Sequence, residues 1–232
     1  MTEREVRRVL ISRLASTEGY AGATFICEMF LDNFSRRADL VVVGDKLSVF
    51  EIKSDRDTLD RLEGQVNSYV RFFEQVTIVC AKKHLSGVLN VVPETVSIWS
   101  INENGNIAIV RRSKTQFLRS QVNWLSFLPV DELKSLLRQE GGGSIGNRSD
   151  LLNLAKHIPL DIAREYVLNY LKRRDIRIQS LIKKRAEKRS QIIPNTVTDE
   201  TRLSSFLKNQ SEFTTAIPRL KSYCSKSSCP SS

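Results

Sequence analysis

The chain has 232 residues, 41% of them hydrophobic, enough for one well-packed domain with an appendage or for two small domains. Its 36 Lys and Arg outnumber 26 Asp and Glu, and the net charge of +10 suits a polyanionic partner or an acidic membrane surface. No run approaches the roughly 18 apolar residues of a membrane span, and the opening EREVRRVLISRLA is amphipathic and charged rather than built like a secretory leader. A soluble, cytoplasmic protein with no membrane partner is expected.

In chain order, Glu3–Ala15 reads as a helix that covers a sheet face through Val6, Leu10, Ile11 and Leu14. Gly19–Gly22 breaks the chain before an apolar element, Phe25–Leu31, which carries Glu28 in FICEMF. Leu40–Val43 and Leu47–Ile52 are strands joined by the turn signal Gly44-Asp45-Lys46. Leu59, Leu62, Val66, Tyr69, Val70 and Phe73 then recur at helical spacing, predicting a helix over Thr58–Phe73 with Asp57 as its N-cap. Val76–Ala81 follows as a buried strand, and Val91-Val92-Pro93 ends another element. Val96–Ile101 and Ile107–Val110 form a second hairpin around the Asn-Gly turn within Asn102–Asn106.

Up to this point the order predicts an α/β fold with a mixed sheet. Pro129–Glu140 is a helix stopped by Gly141-Gly142-Gly143, a natural hinge or linker, and Pro159 separates helices over Ser149–His157 and Asp161–Arg189. The expected organisation is a core over residues 1–115, a basic helical region over 116–189 and a polar tail of low order over 190–232.

The first hairpin carries the chemistry. If it is centred on Asp45, Asp39 and Glu51 each lie six positions from the centre and become cross-strand neighbours, with Cβ atoms roughly 5 Å apart. Lys53 lies two residues beyond Glu51 and points to the same face, about 6.6 Å along the strand. Two carboxylates and an ammonium thus converge on one patch. Glu51 sits between Phe50 and Ile52, where a carboxylate costs several kcal/mol unless a cation or strong donor compensates it. Mg²⁺ would do so, since it takes carboxylate oxygens at roughly 2.1 Å and keeps its other positions for water and phosphate. An ordinary hairpin in which Lys53 pairs with Glu51 or Asp39 accounts for the bare pattern equally well. Gln65 and Tyr69, four apart on the following helix, share a face that can look back at the end of the Glu51 strand.

Asp39, the Glu51-Ile52-Lys53 triplet and the helix bearing Gln65 and Tyr69 resemble the core of the PD-(D/E)XK nuclease superfamily. The wording EIKSDRDTLDRLEGQVNSYVRFFEQVTIV resembles more closely a family of uncharacterised, nuclease-like bacterial and phage proteins named after a locus tag. Arg37–Lys83 carries the resemblance most strongly, with Ala38 where the generic motif has proline. It implies a restriction-endonuclease-like α/β/α core followed by a C-terminal helical region. It also implies a deoxyribonuclease that uses Mg²⁺ or Mn²⁺, held by Asp39, Glu51 and the backbone carbonyl of Ile52. Lys53 would assist the attacking water or stabilise the transition state. Glu28 matches the acidic residue often supplied by an early core element, or is an exposed acid. Gln65 and Tyr69 match a QxxxY pattern of RecB-like nucleases, or are a solvated Gln and a core Tyr. A nucleic-acid-binding module on the same fold without activity is the alternative, and a homodimer is compatible with either.

Between Arg164 and Arg189 ten Lys or Arg stand against three acids. Lys172, Arg173, Arg174, Lys183, Lys184 and Arg185 are therefore candidate phosphate contacts for DNA, unless the helix is merely a solvated face. Cys27 and Cys80 read as small buried hydrophobes. With His84 and His157 far apart and no CxxC, a zinc site is not expected.

Overall fold

The computed structural model describes residues 1–31 and 36–191. A six-stranded sheet runs in the order β1 to β6: β1 Thr24–Leu31, β2 Arg36–Val43, β3 Leu47–Lys53, β4 Gln75–Ala81, β5 Ser97–Ile101 and β6 Ile107–Arg111. Strand β2 pairs antiparallel with both β1 and β3, β3, β4 and β5 are parallel, and β6 returns antiparallel to β5. The α/β class and the mixed sheet are thus as expected. Every residue of β3 is buried, which is the signature of a central strand covered on both faces.

The helices are α1 Glu3–Ala15, α2 Leu62–Phe72, α3 Leu85–Val91, α4 Gln121–Leu125, α5 Val130–Gln139, α6 Arg148–Leu154 and α7 Leu160–Gln191. Helix α1 matches its predicted bounds, starts at a capping box made by Thr2 and Glu5, and lies against β3. Its buried side chains are the four that the spacing singled out. Helix α2 packs against β4, and its Leu62, Val66, Tyr69 and Phe72 share a core with Val41, Val43, Val49 and Ile78. Trp124, Leu136, Leu137 and Val167 from the later helices extend that same core. Each fully buried side chain of this size contributes roughly 1.5–3 kcal/mol.

Three local expectations change. Helix α2 begins at Leu62, four residues after Thr58, with Arg61 at its N-cap position. Asp57 does not cap it, because its Oδ2 accepts from the Ser54 amide at 2.8 Å and closes the turn that follows β3. The glycines after α5 act as a cap rather than a linker: Gly141 is left-handed (φ 72°) and the Gly142 amide donates to Leu137 O at 2.8 Å. The helix Ser149–His157 is a shorter α6, opened by a capping box at Asn147 and followed by a 3₁₀ turn, Ala155–His157.

Met1–Arg173 form one compact unit, and a second begins at Arg174. Within the first unit the Gln116 amide donates to Glu74 O at 2.9 Å and Phe127 meets Phe72 and Phe73 edge-on, so contacts run continuously across residue 115. Helix α4, too short and weakly periodic to be predicted, brings Trp124 into this core. Of the tail expected over 190–232, residues from 192 onward lie outside the described residues. Among the described residues no helix is long and apolar enough to cross a membrane.

Candidate active site

The turn Gly44-Asp45-Lys46 joins β2 and β3 in the register that the hairpin predicts: Val43 faces Leu47, Val41 faces Val49 and Leu40 faces Phe50. The paired ladder stops there, one step short of Asp39 and Glu51. In place of the next rung the Asp39 side chain crosses to β3, where its Oδ2 accepts from the Ile52 amide at 2.7 Å. Ile52, expected to contribute its carbonyl to a metal, thus meets Asp39 through its N–H. That bond pins the Asp39 carboxylate at the end of the hairpin.

Glu51 is the hub of a hydrogen-bonded network. Lys53 Nζ lies 3.1 Å from Glu51 Oε1 and donates to Gln65 Oε1 at 2.8 Å. The Gln65 amide also donates to Glu51 Oε1, and the Tyr69 hydroxyl donates to Glu51 Oε2 at 2.7 Å. Tyr69 stands 3.2 Å from Arg37 O as well, which ties α2 to β2. The spacing of Gln65 and Tyr69 on one face of α2 delivers both donors to one carboxylate. Asp39, Glu51 and Lys53 are only 8%, 2% and 6% exposed.

The electrostatics show what this arrangement lacks. Burial holds the Asp39 carboxyl well above the ordinary carboxylate range, and the charge of Glu51 pushes the same way; the Ile52 amide and Arg7 pull it back only in part. Burial also raises Glu51, against the opposing pull of Lys53, Tyr69 and Gln65. The Tyr69 phenol is raised by burial and by the adjacent Glu51 charge, so it stays a hydrogen-bond donor. Two buried carboxylates that repel each other, served by one ammonium, form a donor set suited to a hard divalent cation. Among the described residues no group of three or more His, Cys, Asp and Glu converges, so such an ion would rest on these two carboxylates.

Glu28 stands apart from the network. In the β1–β2 ladder Cys27 pairs with Leu40 and Met29 with Ala38, while the Glu28–Asp39 rung between them is missing. Glu28 is left-handed there (φ 54°), a conformation that costs of order 1–3 kcal/mol for a residue with a side chain. Its carboxylate is gripped by two guanidiniums, Arg7 from α1 and Arg37 from β2, the latter at 2.6 Å. The hairpin arithmetic gives no hint of these arginines. The adjacent pair Arg36-Arg37, two residues before Asp39, is the one sequence signal for them.

Of the candidate phosphate contacts, Arg173 is exposed but engaged: it pairs with Glu132 at 3.3 Å and stacks over the Tyr166 ring at 5.7 Å. Arg174 and Lys172 are half-buried, and Lys183, Lys184 and Arg185 are exposed. Cys80 is buried, its thiol pushed up to about 11, whereas Cys27 is half-buried.

Residues 1–199 match the family described as bacteriophage P4 protein cII. Protein cII of Enterobacteria phage P4 is 37% identical over 179 residues, spanning 75% of this chain and 68% of that protein. A solved structure of a Silicibacter pomeroyi protein of unknown function aligns with 62% of this chain and 97% of its own, at 18% identity and a TM-score of 0.41. A likeness that remote carries no argument.

Proposed function

The chain belongs to the family of bacteriophage P4 protein cII, and we propose that its hairpin site makes it a metal-dependent nuclease of the PD-(D/E)XK type acting on DNA. The relatives' names state no activity, so the reading rests on the site. The observation that carries it is the convergence on Glu51 of Lys53, Gln65 and Tyr69, beside an Asp39 that burial and Glu51 hold protonation-prone. A stretch of sheet with no task has no physical reason to retain two buried carboxylates at several kcal/mol each. The choice of DNA follows the resemblance of Arg37–Lys83 to that superfamily, and the net charge of +10 suits any polyanion.

Asp39 and Glu51 would hold Mg²⁺ or Mn²⁺, which when bound supplies Lewis-acid charge at the phosphodiester. The protein's own groups do the rest. The Lys53 ammonium, steered by Gln65 Oε1 at 2.8 Å, is placed to orient a water and to offset negative charge gathering on the phosphate. Gln65 and Tyr69 hold the Glu51 carboxylate in one orientation, so it need not reorganise when phosphate arrives. The low exposure of all three central side chains strengthens each of these interactions.

The test is incubation of the purified protein with linear duplex, circular duplex and single-stranded DNA, with Mg²⁺, with Mn²⁺ and with chelator. Cleavage of at least one substrate that stops in chelator is the expected outcome. Intact DNA under every metal condition would leave a nucleic-acid-binding module without activity.

A further inference from the structure

Arg36 brings a further cation close to helix α2. It opens β2, half-buried, three residues before Asp39. Its neighbour Arg37 is spent on Glu28, as is Arg7, and Lys53 is spent on Glu51 and Gln65. The Arg36 backbone pairs with Leu31 in the ladder, and among the described residues its side chain makes no hydrogen bond or ion pair. Its guanidinium nevertheless lies on the α2 side of the sheet, near enough for its charge to act on the Tyr69 hydroxyl that holds Glu51.

The second observation lies on α2. Gly64 is the third residue of that helix, where glycine costs up to about 1 kcal/mol relative to alanine. A Cβ at this position would stand 3.1 Å from Arg36 Nη2 and 3.9 Å from its Cζ. Nothing else lies within 4 Å of that point, and the backbone of Gly64 is not left-handed. The missing side chain therefore serves one purpose here, which is to let the guanidinium lie against the first turn of α2.

We propose that Arg36 is the phosphate clamp of this site and that Gly64 is its seat. The inference rests on the nuclease reading and deepens it by assigning the group that binds the scissile phosphodiester. The guanidinium fork offers two parallel N–H donors to the non-bridging oxygens of that phosphate. In hydrolysis the water oxygen bonds to phosphorus and the bond to the leaving sugar oxygen breaks. The proton lost by the water is balanced by one gained at the leaving oxygen. Charge concentrates meanwhile on the non-bridging oxygens, where Arg36 binds more tightly than in the ground state. Lys53 faces the attacking water, so the two cations divide the work.

The experiment compares the full-length parent with Arg36→Ala, Arg36→Lys and Gly64→Ala by single-turnover cleavage at saturating DNA, with thermal melts of each. Arg36→Ala is expected to slow cleavage by roughly 10²–10³-fold with an unchanged midpoint, and Arg36→Lys to recover part of that loss. Gly64→Ala displaces only the far end of a flexible side chain. It should slow cleavage by about tenfold while melting at or above the parent temperature, because alanine favours the helix. Falling rate with rising stability is a combination that a packing role cannot produce. An Arg36→Ala rate within about threefold of the parent in a folded protein overturns the clamp. Should the parent itself cleave no DNA, the nuclease reading fails alone. The clamp is then decided by binding of a short duplex in chelator, where an Arg36→Ala affinity equal to the parent's overturns it and a tenfold loss sustains it.

Discussion

Strand β2 separates two acidic sites that solve opposite problems. On the β3 side, Asp39 and Glu51 are nearly sealed from water, Lys53 pairs with Glu51 and not with Asp39, and burial raises both carboxyls. On the β1 side, Glu28 faces two guanidiniums, Arg7 and Arg37, and Arg7 also pairs with Glu3, so the charges there are matched. The second arrangement is a structural clasp, in which α1, β1 and β2 are tied through the Glu28 carboxylate. Under the proposed function, a bound cation would complete the first. A buried site short of counter-charge favours a cation, so under the proposed function binding would fall on one side of β2 and bracing on the other.

The contrast breaks most visibly by neutralising each acid in turn. If Glu51 is a metal ligand, Glu51→Gln removes it without removing a phosphate-binding group, so cleavage should fall by at least about 10³-fold while DNA binding stays nearly intact. If Glu51→Gln cleaves like the parent, the chemistry lies elsewhere. Glu28→Gln takes the carboxylate from Arg37 and leaves Arg7 only Glu3, which should cost about 1–3 kcal/mol of stability and lower cleavage by less than tenfold. A loss as deep as that of Glu51→Gln, in a protein that melts normally, would return Glu28 to the catalytic set that the resemblance suggests.

Metal and pH sharpen the same difference. Asp39 and Glu51 both have folded pKa values raised above their ordinary values of 3.8 and 4.5, so the folded state holds protons more tightly than the unfolded chain. Stability from this source is therefore present at low pH and is lost as pH rises from those ordinary values through the raised folded ones. In chelator, the thermal midpoint of the parent should decline over that window relative to Asp39→Asn, which carries one fewer buried charge. Saturating Mg²⁺ or Mn²⁺ should restore the parent by about 2.7 kcal/mol at a hundredfold excess over the dissociation constant. The restoration should grow with pH, since the ion competes with protons. An Asp39→Asn protein that responds to metal as strongly as the parent would show the ion to bind somewhere else.

How much of this was legible follows from the range of each interaction. Hairpin register is local, fixed by the turn at Gly44-Asp45-Lys46 and the apolar alternation, so it holds from Val43–Leu47 to Leu40–Phe50 and ends one step short of Asp39 and Glu51. The i, i+4 spacing of Gln65 and Tyr69 is local too, and it delivers both donors to Glu51. Asp57 misled because an acid shortly after a strand has two uses, capping a helix or closing a turn, and propensity does not choose between them. Arg7 in α1 and Gly64 in α2 come from elements separate from β2, and only the packed fold brings them to its arginines. Their charges and small size were visible, but their meeting was not. The cap made by Gly141 and Gly142 reads as a linker in sequence because glycine serves both ends.

The smallest predicted effect concerns long-range charge rather than the site. If Lys172, Arg173, Arg174, Lys183, Lys184 and Arg185 bind phosphates, replacing them by Gln weakens binding to all DNA sequences alike. The dependence of log affinity on log salt should flatten by about 0.9 for each duplex phosphate that is no longer neutralised. Arg173 should contribute least when replaced singly, because Glu132 at 3.3 Å and the Tyr166 ring already engage its guanidinium. Cleavage at saturating DNA should persist in the sixfold variant, since these positions lie in α7 and not in the hairpin that carries Asp39, Glu51 and Lys53. A salt slope unchanged from the parent would make this basic run a solvated face. The attraction to DNA would then have to come from the arginines around β2, which a parallel titration of Arg36→Ala would register as a slope reduced by about one phosphate.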